Sequence, residues 1–256
     1  MAEGCKADVL SGKIALVTGA TRGIGKGIAQ CMAEAGARVI VLGRDPAVAE
    51  AVSQELRDGG GLASPLVADL ADEAQVGALI PRVLQQHGAL DILVNNAGID
   101  DMRPALGYPL DVWRRIIQLN LEVPFRLSQA VAPHFLEKSA GIIINISSTF
   151  GLVGYATECA YASAKHGLTG LTKVLALEWS SKGIRVNAIA PGAIQTDQSK
   201  SLWQADDAER AIKQFVPQGR IGQPRDIGGA AVFLASAAAS FIQGETLVVD
   251  GGYVAR

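Results

Sequence analysis

Cysteine and histidine are scarce in this chain, and each scarcity closes off a class of function. The three cysteines, Cys5, Cys31 and Cys159, are odd in number and form no Cys-x-x-Cys. They read as reduced thiols, with neither a disulfide framework nor a metal site. His87, His134 and His166 are scattered, so no metal cluster is expected. There is no basic run and no basic-aromatic stripe, and a net charge of −2 gives no attraction to nucleic acid or an anionic membrane. Long apolar runs are missing too. No uncharged stretch is long enough to span a bilayer, and the start, Met1-Ala2-Glu3-Gly4-Cys5-Lys6-Ala7-Asp8, lacks the apolar core of a signal peptide. A soluble, cytoplasmic protein is expected, with neither nucleic acid nor membrane as a partner.

Glycine is plentiful, with 29 residues in a chain of 256 that is 49% hydrophobic. That composition suits close packing of helices on strands. Short apolar runs at 14–17, 38–42, 62–68, 92–94, 142–146, 186–190 and 246–249 are the strand candidates. Between them lie segments with i, i+3, i+4 apolar spacing, among them 24–35, 48–57, 74–86 and 161–181. Near-continuously apolar strands alternating with helices predict a parallel sheet covered on both faces. Right-handed crossovers then favour a doubly wound arrangement. No linker, repeat or low-complexity block divides the chain, so residues 1–256 read as a single domain. Pro81, Pro124 and Pro133 fall where helix interior is expected, and each should bend or end its helix locally.

The most informative pair is Tyr161 and Lys165, in Tyr161-Ala162-Ser163-Ala164-Lys165. Four residues apart on a helix, they share one face. A fixed ammonium beside a phenol favours phenolate, whose unperturbed pKa of about 10 makes tyrosine a poor base at neutral pH. An exposed helical pair is the plain alternative. A second feature follows the first strand: Thr18-Gly19-Ala20-Thr21-Arg22-Gly23-Ile24-Gly25, running into a helix. Glycines there permit a tight turn and close backbone approach to a diphosphate, and the helix N-terminus favours the same anion.

From this loop onward the chain resembles the short-chain dehydrogenase/reductase family, over essentially its whole length. The loop matches Thr-Gly-x-x-x-Gly-x-Gly. Asn95-Asn96-Ala97-Gly98 follows the fourth strand, Asn120 sits in Gln118-Leu119-Asn120-Leu121, and Ser148 precedes Tyr161 by the family's thirteen positions. Pro191-Gly192 follows the sixth strand, and Val249-Asp250-Gly251-Gly252 lies near the C-terminus. The resemblance implies a Rossmann fold with a seven-stranded parallel sheet, and hydride transfer between a nicotinamide cofactor and a carbonyl or secondary alcohol. Asn120, Ser148, Tyr161 and Lys165 are the implied catalytic set. Tyr161 would exchange the proton, Lys165 keep the phenol acidic and hold ribose, Ser148 bind the substrate oxygen, and Asn120 hold a water leading to solvent. Ser147 competes with Ser148 as the reacting hydroxyl, and Asn120 can also be read as a buried helix-breaking amide. Implied cofactor contacts are Gly19, Thr21, Arg22, Gly23, Ile24 and Gly25 in the loop. Asp69 and Leu70 would lie at the adenine, and Asn96, Ala97 and Gly98 along the cofactor. Pro191, Gly192, Ile194 and Thr196, with Tyr161 and Lys165, would complete the set.

Cofactor choice should be set after the second strand, at Val41-Leu42-Gly43-Arg44-Asp45. By family spacing the ribose-binding acid falls on Gly43. A missing carboxylate removes repulsion against a 2′-phosphate, and Arg44 can grip that group bidentately. NADP is therefore favoured, with NAD open through Asp45; Arg22 is compatible with either. Residues 195–222 should cover the substrate, with Phe150, Leu152, Val153, Tyr155 and Trp203 as pocket walls. Two branches compete, one gluconate 5-dehydrogenase-like and one β-ketoacyl-carrier-protein-reductase-like. The first fits Ala176-Leu177-Glu178-Trp179 and Gly219-Arg220-Ile221-Gly222-Gln223-Pro224. The second would need a basic docking patch, and Lys138 and Lys182 make only a thin one. A dinucleotide-binding scaffold without turnover is a third reading. The resemblance further implies a homotetramer or homodimer.

Overall fold

The computed structural model describes residues 8–196 and 214–255. Seven strands form one sheet: β1 Ile14–Val17, β2 Arg38–Gly43, β3 Leu62–Val67, β4 Ile92–Asn95, β5 Gly141–Ile146, β6 Ile184–Pro191 and β7 Thr246–Val249. Their order is β3-β2-β1-β4-β5-β6-β7, and every pair is parallel. Around the sheet lie α1 Gly23–Glu34, α2 Pro46–Asp58, α3 Glu73–His87, α4 Leu110–Ile117, α5 Val123–Lys138, α6 Cys159–Trp179 and α7 Pro224–Ala235.

Because successive strand residues point to opposite faces, one strand feeds two cores. Ala15 and Val17 of β1 pack with Ile28 and Met32 of α1 and Ile227 of α7. Leu16, between them, packs with Leu79 of α3, Leu127 of α5 and Leu175 of α6. Both faces are therefore covered, and the doubly wound expectation holds. Strand order reverses between β1 and β4, which opens a crevice beyond their carboxyl ends. All seven strand candidates are present, with bounds that move by two residues at most: β6 starts at Ile184.

The three prolines behave differently from one another. Pro124 lies in the first turn of α5, where a missing N–H is tolerated. It cannot donate to the carbonyl of Asn120 four residues back. Just ahead of it, Gln118–Glu122 widens into a π turn, and the Val123 N–H reaches back five residues to the Gln118 carbonyl. Neither Pro81 nor Pro133 ends its helix, and α3 and α5 run through them. Both rings face outward, since Pro81 and Pro133 are exposed.

Candidate active site

The glycine loop and the turn after β4 are knotted together at the sheet's carboxyl edge. Thr18 Oγ1 donates to the Val94 carbonyl at 3.2 Å and accepts from the backbone N–H groups of Asn96 at 2.9 Å and Ala97 at 3.0 Å. Asn96 Nδ2 returns to the Thr18 carbonyl at 2.8 Å and to that of Gly19 at 3.3 Å. The Asn96 amide therefore braces the loop. Asn95 ties strands, donating to Asn145 Oδ1 at 2.9 Å and Ser128 Oγ at 3.3 Å. Gly19 has φ +63°, and a Cβ on Gly25 would lie 2.2 Å from the Gly19 carbonyl oxygen. No side chain caps α1, which leaves its N-terminal N–H groups open to an anion. Thr196 sits over the loop, its Cγ2 3.2 Å from where a Gly23 Cβ would be. A cleft of about 380 Å³ runs there between Gly23, Lys26, Gln195, Thr196 and Pro224. A diphosphate-bearing cofactor fits this cradle.

At the end of β2, a Cβ on Gly43 would approach Thr21 Cγ2 to 2.4 Å. Thr21 thus occupies the space a ribose-binding carboxylate would need, while Arg44 stands exposed beside it. Asp45 is the N-cap of α2, accepting from Ala47 N at 2.8 Å and Val48 N at 3.2 Å. That engagement weighs against its use on a ribose. Asp72 caps α3, whereas Asp69 accepts from Ala71 N at 3.0 Å, beside the buried Leu70. At the far end, a Cβ on Gly192 would meet Asp250 Cβ at 2.6 Å, so the C-terminal Asp250 packs on the Pro191-Gly192 turn. Ile194 is buried there and bridges to Gly222.

The four expected catalytic residues converge. Lys165 is 3% exposed. Its Nζ donates to the Ile146 carbonyl at 2.8 Å and lies 5.4 Å from the centre of the Tyr161 ring. Burial pulls its pKa down to about 8, opposed by the Asp100 charge. Tyr161 moves opposite to the sequence expectation. Burial pushes the phenol up, Asp100 and Glu158 add to that, and the Ser148 hydroxyl bonded to it pulls the other way. The ammonium that was to acidify the phenol is itself weakened by burial, so in the free protein Tyr161 holds its proton firmly.

Ser148 Oγ accepts from Phe150 N at 3.1 Å, while Ser147 turns inward to the Lys165 carbonyl and Thr169 Oγ1, both at 3.2 Å. Ser147 is structural. Asn120 Nδ2 donates to the carbonyls of Ile99 at 2.8 Å and Ile116 at 3.0 Å. Its Oδ1 is buried with no partner. A Cβ on Gly98 would stand 2.3 Å from that oxygen and 3.8 Å from Lys165 Nζ, so both groups look onto the same point. Leaving such an acceptor unmatched costs about 1–3 kcal/mol, a sign that the atom serves a further donor.

Of the expected pocket walls, Phe150 stacks on Tyr155 at 4.7 Å, and Leu152 is exposed nearby. Trp203 and most of the 195–222 segment lie outside the described residues. Among the described residues no group of His, Cys, Asp or Glu forms a metal site, and no helix is long and apolar enough to cross a membrane. Two residues escape sequence reasoning. Thr18 carries the knot, and Glu158, 1% exposed, stands one turn before Tyr161.

A glycine cradle at a sheet switch point, with Tyr161, Lys165, Ser148 and Asn120 at its rim, defines a dinucleotide-dependent oxidoreductase. Comparison with known proteins agrees. A family profile described as Enoyl-(Acyl carrier protein) reductase matches residues 19–254. The 3-oxoacyl-[acyl-carrier-protein] reductase of Vibrio harveyi is 44% identical over 95% of this chain and 98% of its own. D-threitol dehydrogenase of Mycolicibacterium smegmatis is 40% identical over 96% of this chain and 95% of its own. A crystal structure of a gluconate 5-dehydrogenase from Burkholderia cenocepacia, in complex with NADP and tartrate, is 39% identical. It superposes with a TM-score of 0.92 over 96% of this chain and 97% of its own. The chain belongs to the short-chain dehydrogenase/reductase family. It is an NAD(P)-dependent enzyme acting on CH–OH and C=O groups.

Proposed function

We propose that this enzyme interconverts a small polar ketone or keto-sugar and the matching alcohol or polyol, with NADPH preferred to NADH. The observation that carries the cofactor preference is Thr21 filling the space beside Gly43, with the exposed Arg44 next to it. A 2′-phosphate then meets a guanidinium and no carboxylate. NADP in the Burkholderia cenocepacia structure supports the same choice.

The bound nicotinamide supplies or accepts the hydride. Ser148 donates a hydrogen bond to the substrate oxygen as negative charge develops there. Tyr161, protonated in the free protein, gives its proton to that oxygen in reduction and takes it back in oxidation. Lys165 supports the phenolate once formed, and Asn120 Oδ1 holds a water through which the proton is replaced. Thr21, Arg22, Gly23, Ile24, Gly25, Arg44, Asp69, Leu70, Ala97, Gly98 and Pro191 to Thr196 are proposed to hold the cofactor. The whole chain works as one domain with 195–222 over the substrate, in the cytoplasm. It assembles as a homotetramer or homodimer: Val174 and Leu177 of α6 are 51% and 81% exposed, and sedimentation velocity gives the state directly.

A β-ketoacyl-carrier-protein reductase is the second reading, favoured by the Vibrio harveyi relative. Against it, Lys138 is engaged with Asp91 at 2.7 Å, which thins the basic patch an acidic carrier would need. Comparing kcat/KM with NADPH for small keto-sugars and an acetoacetyl thioester separates the two. Faster thioester reduction overturns the first. Tyr161→Phe should lower kcat by about a hundredfold or more while NADPH binding, read by fluorescence, persists. Turnover at the wild-type rate removes Tyr161 as the proton donor.

A further inference from the structure

The turn that follows β7 touches two parts of the site at once. Asp250 folds it with its own side chain: Oδ1 accepts from Gly252 N and Oδ2 from Val254 N, both at 2.8 Å. Gly251 has φ +66° and Gly252 φ +93°, so the backbone is left-handed at two successive positions, which only glycine adopts readily. On one side, Asp250 packs against Gly192 in the strip proposed to hold the cofactor, and the Gly192 N–H donates to the Val249 carbonyl at 3.0 Å. On the other side lies the last part of the 195–222 segment. Gln218 N donates to the Gly251 carbonyl at 3.0 Å, and Gly219 N donates back to the Val216 carbonyl at 2.8 Å. Val216 is buried, and a Cβ on Gly251 would stand 2.6 Å from its Cγ1. One on Gly252 would stand 3.3 Å from the Pro217 ring.

From this seat the chain runs on to Gly222, where it meets the cofactor strip again. Gly222 N donates to the Ala193 carbonyl at 2.9 Å, and the Gly222 carbonyl accepts from Gln195 N at 2.8 Å. Arg220 and Asp226 brace the same stretch, Nη1 to Oδ2 at 2.7 Å and Nη2 to Oδ1 at 3.0 Å. Residues 216–222 are thus held at one end by the C-terminal turn and at the other by the strip beside it.

We propose that the C-terminal turn, through Gly251, is a positioning element for substrate binding. By seating Val216 to Gln218 it fixes where the 195–222 segment returns to the cofactor strip, and so where that segment meets the substrate. Valine is stiff at its branched carbon, so the Val216 methyl does not swing aside, and any side chain at position 251 pushes 216–218 off the seat. This rests on the reading above that residues 195–222 lie over the substrate.

Gly251→Ala is the test, with Gly88→Ala as its control. Gly88 also has a left-handed φ, +75°, but a Cβ there meets nothing within 4 Å. Both variants should lower Tm, since both strain the backbone. Only Gly251→Ala should raise KM, by about fivefold, for the best substrate among the small keto-sugars and the acetoacetyl thioester, with kcat and NADPH affinity within about twofold of wild type. It should also speed hydrogen exchange of the Gln218 N–H by about tenfold. Adding Val216→Ala, which removes the obstructing methyl groups, should recover most of the KM while Tm stays low. Unchanged Gln218 exchange, an equal KM rise in Gly88→Ala, or no recovery in the double variant overturns the seat. A wild-type KM in Gly251→Ala overturns it alone if Trp203→Ala, within the segment, raises KM. If Gln218 exchange quickens and neither Gly251→Ala nor Trp203→Ala alters KM, the reading that 195–222 covers the substrate falls with it.

Discussion

Residue by residue, the site was legible where a side chain has one job that its spacing reveals. Tyr161, Lys165, Ser148 and the loop glycines belong there. Glu158 was not, because an acid at a helix start reads as a cap, and only its burial without a capping hydrogen bond distinguishes it. The direction of the Tyr161 shift was hidden for a related reason. Sequence gives the neighbouring ammonium, but not that Lys165 is buried and bound to the Ile146 carbonyl. Gly43 is clearer with the structure than without it: the position excludes an acid through contact with Thr21. Arg44→Ala should therefore weaken NADPH binding about tenfold, about 1.4 kcal/mol, and leave NADH unaffected. Gly43→Asp alone should weaken both, because the new Cβ collides with Thr21. Gly43→Asp with Thr21→Gly should restore NADH binding. Side-by-side fluorescence titrations with both cofactors check all three, and an Arg44→Ala protein with unchanged NADPH affinity would falsify the phosphate contact.

Among the elements, the alternation of apolar strands and amphipathic helices was readable, and the helix ends were less so. The bounds of β1 and β7 are as expected, whereas the π turn at Gln118–Glu122 has no periodicity of its own. Its cause was nevertheless in the sequence. Pro124 removes the donor that would bond the Asn120 carbonyl, and the widened turn aims the Asn120 amide at Ile99 and Ile116. Pro124→Ala restores that donor and allows an ordinary α turn. Helical circular dichroism and Tm should hold or rise, since the regained N–H can bond the Asn120 carbonyl. Yet kcat should fall by about tenfold or more, because small displacements of a positioning group carry costs of this size. A variant with unchanged kcat would mean that the π turn is incidental to Asn120.

At the scale of the whole molecule, the strand order could be inferred because parallel strands need crossovers, and the handedness of crossovers leaves few layouts. The charge state of the folded protein could not, since it depends on what the layout buries. Two of the buried groups, Glu158 and Lys165, are shifted in opposite senses. Glu158 is raised from 4.5 to about 8, so the stability it contributes is present below its unfolded pKa and is lost as pH rises through 8. Lys165 is lowered from 10.5 to about 8. Its contribution is present above the unfolded value and is lost as pH falls through 8. Replacing each with a neutral residue should therefore stabilise the protein in different windows. Glu158→Gln should gain little at pH 4.5 and progressively more up to pH 8, while Lys165→Met should gain most below pH 8 and lose its advantage toward pH 10.5. In a chain of this size each kcal/mol moves Tm by about 2–4 °C, so the two Tm-against-pH curves, taken relative to wild type, should slope in opposite directions. A flat difference curve for Glu158→Gln would mean that the carboxyl is ionised in the folded protein at neutral pH.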